Sequence, residues 1–585
     1  MFLKKSVTTV KGKTYNHYKV VESYRDKGKV KHRILFSLGA LTDEQAEHMR
    51  MVVRAHSDPD IVVSKAEDIV VTKHVSYLDI AVLEQIWQDW GFNEFFTGER
   101  WVRAMVFNRL LDPGSKISVN QWMAETAVPA YYSEDPSTKD PWDIYRELDR
   151  LFERESEIQS FIYERLKAKG PISQTFFYDI TSTYLEGCRC ILAAYGYSRD
   201  HRPDREQIVI ALIITPEGYP IYWQVMPGNT QDVTTVQDII KQVKARYGID
   251  KCTMVIDRGM ISKDNLLALE GGGWQYVSAM DRDEIENAPF FEEALPRAVL
   301  PEDYEQVMAA WGFAPFEQDG VLYFREFEEG KRRYILSFDV NRFLEERKRQ
   351  GERLREGLDW IEEKNRTLSK AKKTKNKGVL EREIDSLLKR KHLKRFLKIQ
   401  VEPTTHAVIA KTGRERSVQS FMLSYSIDRG LLQREQRLHG ITCFITNLHK
   451  KDALAREVIL WYRRKNKVEE AFHEIKSHLE LRPVYLTRVK RVKAHVTVCV
   501  LSYFLFNDIE RRLEDNDISR CPKNVLRLLG KCQINWLSFK AIDRTKLSIT
   551  EPSTEQKEIL RALGCEAAVS PGQAQKILKK AETYL

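Results

Sequence analysis

The spacing of hydrophobic positions changes several times along the chain, and each change predicts a different kind of element. "TYNHYKVVESYRD", from Thr14, and "KGKVKHRILFSLG" alternate apolar and polar residues about a turn at Asp26–Gly28, predicting short strands. "DEQAEHMRMVVRAH", from Asp43, predicts a helix, followed by a linker-like "SDPD" and the stretch "EDIVVTKHV". From residue 78 to about 168 the apolar period becomes helical in "YLDIAVLEQIWQDWGF", "WVRAMVFNRLL" and "PWDIYRELDRLFERESEIQSFIYERLKAKG". A stop at Pro113–Gly114 separates the second of these from a further helix.

At Gln174 the pattern shortens. "QTFFYDIT" reads as a buried strand, and "QIVIALIITPEGYPIYWQVM" as a hairpin turning at Pro216–Gly218. "TVQDIIKQVKARYG" then predicts a helix, "CTMVIDRG" a strand, "SKDNLLALEGGG" a helix and "QYVSAM" a strand. This order indicates an α/β core built on a mixed sheet. Residues 281–435 interrupt it with strand-like pieces ("GVLYFREFE", "KRRYILSFD", "THAVIAKTG", "SFMLSYSID") and a long charged helical tract from Arg342 to Leu397. The α/β pattern resumes at "GITCFITN". The tail from Asp515 reads as helical and loop-rich.

Composition changes this picture in one respect. The 585 residues are 42% hydrophobic and 30% charged, as expected of a folded chain of several domains. The net charge of +10 is concentrated: residues 331–400 hold 23 Lys and Arg against 11 Asp and Glu, a net of +12. Such a patch points to a polyanion, most simply nucleic acid. The eight cysteines are scattered, and Cys188 and Cys190 form the only close pair, a poor zinc site. The first residues lack a signal-peptide core, and "VTVCVLSYFLF" (Val496–Phe506) is too short to span a bilayer and predicts a buried helix. A cytoplasmic chain with free thiols and no membrane partner is the expectation.

Two carboxylates end apolar strands: Asp179 after "TFFY" and Asp257 after "TMVI". Strand ends are where α/β sheets bind ligands, and two neighbouring carboxylates repel unless a divalent cation joins them. Taken alone, each also suits a helix cap. A third carboxylate lies in "WYRRKNKVEEAFHEIKSHLELRP". On one continuous helix, Tyr462, Lys465, Glu469 and Lys476 would share an arc of roughly 60°, with Trp461, Val468, Phe472, Ile475 and Leu479 about 80° further round. Glu469 is thereby expected at the edge of the core, although an i, i+4 charge lattice would look the same.

The spacing Tyr462-x2-Lys465-x3-Glu469-x6-Lys476 resembles the Y-x-x-R-x-x-x-E-x6-K signature of DDE transposases of bacterial insertion sequences, in the insertion-sequence-four-like group. "FFYDITSTYLEG", "PIYWQVMPGNTQD", "MVIDRGMIS" and the N-terminal "YNHYKVVESYRDKGKVKHRILFSLG" are similar to the same family. The departure is Lys465, where the family has arginine; lysine keeps the charge but loses the planar fork. The resemblance implies an RNase H-like fold, with Asp179 on its first strand, Asp257 on its fourth and Glu469 on a late helix. It implies two Mg²⁺ or Mn²⁺ ions held by these three residues, with Tyr462, Lys465, Lys476 and Arg258 on DNA phosphates and Asn229 nearby. It also implies cleavage and joining of double-stranded DNA at terminal inverted repeats and a target, by a homodimer in a synaptic complex. The expected domains are an N-terminal β unit and helix (1–77), a helical DNA-binding region (78–170), a core in two parts (171–280 and 436–515), an insertion carrying the basic tract (281–435) and a C-terminal helical region for dimerisation (516–585). Trp311 in the insertion could stack on a flipped base. Two alternatives stay open: a transposase-derived DNA-binding protein without catalysis, and an RNase H-like nuclease that does not join strands.

Overall fold

In the computed structural model, the described residues are all but 12, 59–60, 133–139, 141, 187–188, 250–251, 261, 318–319, 410–413 and 541–542. Part of the "SDPD" linker and Cys188 lie outside them. The chain forms two compact units: one of residues 1–95, 117–141 and 512–585, the other of 96–116 and 142–511. The predicted helices of 78–170 are therefore shared between the units.

The larger unit is built on a nine-stranded sheet. Its first core strand, Thr175–Tyr184, pairs antiparallel with Gln207–Ile214, which pairs antiparallel with Pro220–Pro227. On its other side it runs parallel to the fourth core strand, Thr253–Ile256, which runs parallel to the fifth, Gln275–Ala279. A three-stranded meander followed by two parallel strands reached through helices is the RNase H-like order. Gln207–Ile214 is buried at every position, as its unbroken apolar run requires between two covered faces. One face packs Phe176, Tyr178 and Ile180 against Val236, Ile239 and Val243 of the helix Asp232–Tyr247.

The sheet extends further than the sequence suggested. Ile441–Thr446 pairs antiparallel with the fifth core strand, then with Arg332–Asp339, and Leu322–Glu329 follows. "GVLYFREFE" and "KRRYILSFD" thus belong to the core sheet, not to an inserted body. The true excursion runs from residue 340 to 437. It comprises the helices Val340–Ser369 and Lys377–Arg390, a hairpin of Leu397–Ile409 with Glu415–Ile427, and the helix Arg429–Arg437. It has its own apolar core, including Ile361, Leu380, Ile384, Phe396 and Leu423. The helix Val489–Glu514 is long and apolar enough to cross a membrane, but 94% of its most apolar window is buried inside the protein, as a core helix is.

The smaller unit opens with three antiparallel strands: Phe2–Val10, Lys13–Asp26 and Lys29–Ala40. The helix Asp43–Ala55 follows, started by a capping box between Thr42 and Gln45. Ile69–Ser76 pairs with Gln533–Phe539, which pairs with Arg544–Ile549. The tail expected to be helical therefore contributes two strands to a sheet completed by a segment over 450 residues earlier.

Candidate active site

Strand alternation places the first carboxylate. With Tyr178 and Ile180 turned into the core, Asp179 shares the opposite face with Phe177 and Thr181, against which the helix Asn466–Ser477 packs. Register places the second. Tyr178 lies opposite Ile256 in the parallel pair, so the next residue of each strand is an aspartate, Asp179 and Asp257. Glu469 comes from the first turn of the packed helix. All three line one cleft of about 380 Å³, together with Arg199, Asp200, His473, Lys476 and Arg482.

The continuous helix expected over the signature is broken at Lys465. Its N–H bonds to the oxygens of both Trp461 and Tyr462, at 3.1 and 3.2 Å, and the chain turns there between the helices Ala455–Arg464 and Asn466–Ser477. The burial of Glu469 also differs from the expectation. Glu469, expected at the core edge, has a side chain 56% exposed, whereas that of Lys465 is 5% exposed. The Lys465 ammonium donates to Glu469 Oε1 at 2.7 Å and lies 3.4 Å from Asp257 Oδ1. Tyr462 donates its hydroxyl to the same Asp257 oxygen at 3.3 Å. Asp179 accepts the N–H of Ile180 at 2.8 Å, and burial pushes its carboxyl up to about 7; Lys465 opposes this, while Asp257 and Glu469 add to it. Burial works against the Lys465 charge, yet Asp257, Glu469 and Asp179 hold its pKa above the usual lysine value.

Residues 182–505 match the family model of the transposase DDE domain, and residues 3–60 that of the IS1634 family transposase N-terminal domain. The chain belongs to the DDE transposase family. The longer match covers more than half of it and includes Asp257 and the whole Tyr462–Lys476 signature, while Asp179 lies three residues before its start. No curated protein matches the transposase. Among solved structures it is similar to a piggyBac transposase synaptic complex with hairpin DNA (10% identity, 74% of this chain and 70% of that one, TM-score 0.34). It is also similar to a Mos1 transposase paired-end complex with left transposon end (12% identity, 41% and 69%, TM-score 0.14). The RNase H-like assignment rests on strand order, not on these likenesses.

The remaining predicted residues of the transposase are placed less uniformly. Lys476 is buried and donates to Asp200 Oδ1 at 2.8 Å, an oxygen that also accepts from Arg482 at 2.5 Å. Sequence reading missed Asp200, because "YSRDHRPDRE" looks like a solvated charged loop, although the Asp200 side chain is 2% exposed. Arg258, in the single turn after Asp257, is exposed and 3.4 Å from Asp281. Asn229 sits in an exposed turn and does not line the cleft. Trp311 is half-buried against the core of Phe291 and Met308, which accounts for it as a packing residue.

The donors suit a hard divalent cation in kind: three carboxylates, with two already gathered round a positive charge. Among the described residues no three acidic, histidine or cysteine side chains close on a single point. Asp257 and Glu469 close instead on Lys465, whose ammonium stands where a cation's charge is needed.

Proposed function

We propose that this transposase binds the terminal inverted repeats of an insertion sequence and moves it by metal-dependent cleavage and strand transfer, with Asp179, Asp257 and Glu469 as the catalytic carboxylates. The observation that carries this reading is the meeting of two parallel strand ends and one helix turn in a cleft lined by all three. We also assign the chain to the group with the Y-R-E-K signature, with Lys465 in the arginine position.

Two Mg²⁺ or Mn²⁺ ions bound by the three carboxylates would activate the attacking oxygen and stabilise the leaving 3′ oxygen in an in-line displacement. Water attack at phosphorus breaks the P–O3′ bond and leaves a 3′-hydroxyl and a 5′-phosphate. In joining, that hydroxyl attacks a target phosphodiester, exchanging one such bond for another. Tyr462 holds Asp257 in position through its hydroxyl. Lys465, released from Asp257 and Glu469 when their charge is otherwise neutralised, is assigned to the scissile phosphate. Lys476 and Arg482, fixed by Asp200, present positive charge on the same wall of the cleft. Arg258 is assigned to DNA backbone contact at the rim.

Residues 1–77 and the helices of 78–170 are assigned to reading the DNA ends, and the region 281–435 with its basic tract to backbone affinity. Synapsis of two ends calls for a homodimer, with the C-terminal region 516–585 assigned to dimerisation, acting in the bacterial cytoplasm at the nucleoid. The test is cleavage and joining of DNA carrying the element's ends in Mg²⁺. Asp179→Asn, Asp257→Asn and Glu469→Gln should each abolish both reactions while DNA binding is kept. Strand transfer at the wild-type rate by any of the three overturns the assignment.

A further inference from the structure

A second cavity, of about 330 Å³, lies in the larger unit beside the catalytic cleft. It forms where the helix Arg100–Leu111 ends in "DPGSK", a motif that neither the strand ends nor the signature helices use. Its walls include Arg109, Lys116, Tyr145, Arg482, Tyr485 and His495. Arg482 lines both cavities.

Arg482 pairs with Asp200, but the other two cations of this cavity, Arg109 and Lys116, lack an anion. Lys116 and Arg109 are each 6% exposed. Arg109 donates to the oxygens of Gly114 at 2.8 Å and Glu480 at 3.3 Å, while its Nε is buried without a partner. Among the described residues no hydrogen bond or ion pair reaches the Lys116 ammonium. Burial and the neighbouring Arg109 hold its pKa well below the usual lysine value. His495, held uncharged by burial and the same two cations, turns Nε2 to Leu481 O at 3.4 Å and supplies no negative charge. Glu480 is the one carboxylate among the lining residues; it is exposed and pairs with none of them.

Two buried cations side by side are unfavourable unless an anion joins them. A phosphate suits the pair: the Arg109 Nε–H, left without a partner, takes one of its oxygens, and the ammonium another as a point charge. We propose that Arg109 and Lys116 form a phosphate-binding pocket that takes a backbone phosphate of the strand running through the catalytic cleft, next to the one at the scissile bond. Arg482, shared by the two cavities, marks the path between them. Only the source of the phosphate rests on the transposase reading; the pocket itself does not.

The test begins without DNA. Thermal melting of the full chain in inorganic phosphate is compared with chloride at equal ionic strength. Phosphate should raise the wild-type melting temperature. Lys116→Met should abolish that rise while melting no lower than wild type in chloride, since it removes a buried amine that has no partner there. The rise should survive Lys465→Met, which alters the catalytic cleft alone. No phosphate-specific rise in the wild type overturns the pocket, whatever the variant does. In DNA binding, Lys116→Met should weaken affinity about tenfold, the effect of one charge-assisted hydrogen bond. It should also lower the slope of log affinity against log salt by about 0.9, the share of a single neutralised phosphate. A phosphate rise that depends on Lys116 together with an unchanged salt slope overturns the backbone source and leaves a site for free phosphate.

Discussion

At the scale of the residue, Lys465 decides the character of the cleft. Its partners Asp257 and Glu469 are 40% and 56% exposed, so water screens both pairs. Pairs in which one partner is open to water in this way contribute on the order of 1 kcal/mol to stability. A hydrogen bond to a charged phosphate contributes about 1.5–3 kcal/mol, or about 10- to 100-fold in rate if made in the transition state. Lys465→Met is therefore expected to shift the melting temperature little but to slow DNA cleavage by about 10- to 100-fold, with Lys465→Arg recovering most of the loss. Equal loss in both substitutions would deny the side chain a charge-bearing role. The same geometry predicts a stability signature for metal. A cation bound at a hundred times its dissociation constant stabilises the fold by about 2.7 kcal/mol. Mg²⁺ or Mn²⁺ should raise the melting temperature of the wild type, and Asp257→Asn should remove that response.

At the scale of the element, what the sequence disclosed depended on whether a signal was local. The first core strand, the hairpin at Pro216–Gly218 and the strand ending at Asp257 were legible because an apolar run bounded by turn residues is a short-range pattern. The interruption at Lys465 was not, since a single turn residue with helical backbone angles hardly disturbs a 3.6-residue period over the surrounding positions. Nor was the pairing of Ile69–Ser76 with Gln533–Phe539, whose partners lie far apart in sequence. Asp200 escaped for a related reason: its burial depends on Lys476 and Arg482, contributed from beyond residue 470. The return from the excursion into the sheet, by contrast, was legible as the apolar run "GITCFITN". It turns on Gly440, whose φ is +71° and whose oxygen accepts the N–H of Asp339. A Cβ there would come within 2.7 Å of Asp339 O and of Phe343 Cβ. Gly440→Ala combines a left-handed backbone, about 1–2 kcal/mol, with overpacking of about 1–3 kcal/mol. It should cost about 2–5 kcal/mol in thermal denaturation. Gly248→Ala, with φ at +62° and open space around it, should cost only the backbone part.

At the scale of the whole molecule, the basic tract is less uniform than its net charge suggests. Much of its positive charge is answered within the same region: Lys364 pairs with Glu383, Lys391 with Glu356, Arg366 with Glu363, and Lys389 and Lys394 with Asp385. Cations neutralised in this way release few counterions on meeting DNA, so the 23 Lys and Arg overstate the electrostatic footprint and the net of +12 is nearer to it. A run of unanswered charge lies in the connection between the helices Val340–Ser369 and Lys377–Arg390. There Lys370, Lys372, Lys373 and Lys375 are exposed and, among the described residues, form no ion pair. Changing these four to glutamine should therefore lower the salt slope of DNA binding by up to about 3.6, roughly 0.9 for each phosphate no longer neutralised. Changing the paired Lys364, Lys389, Lys391 and Lys394 should lower it by less, although the formal charge removed is identical. The four exposed positions lie outside the apolar core of the excursion, so the fold and cleavage at saturating DNA should be unaffected. Equal slopes for the two quadruple variants would mean that net charge, rather than the placement of free cations, sets the affinity for DNA.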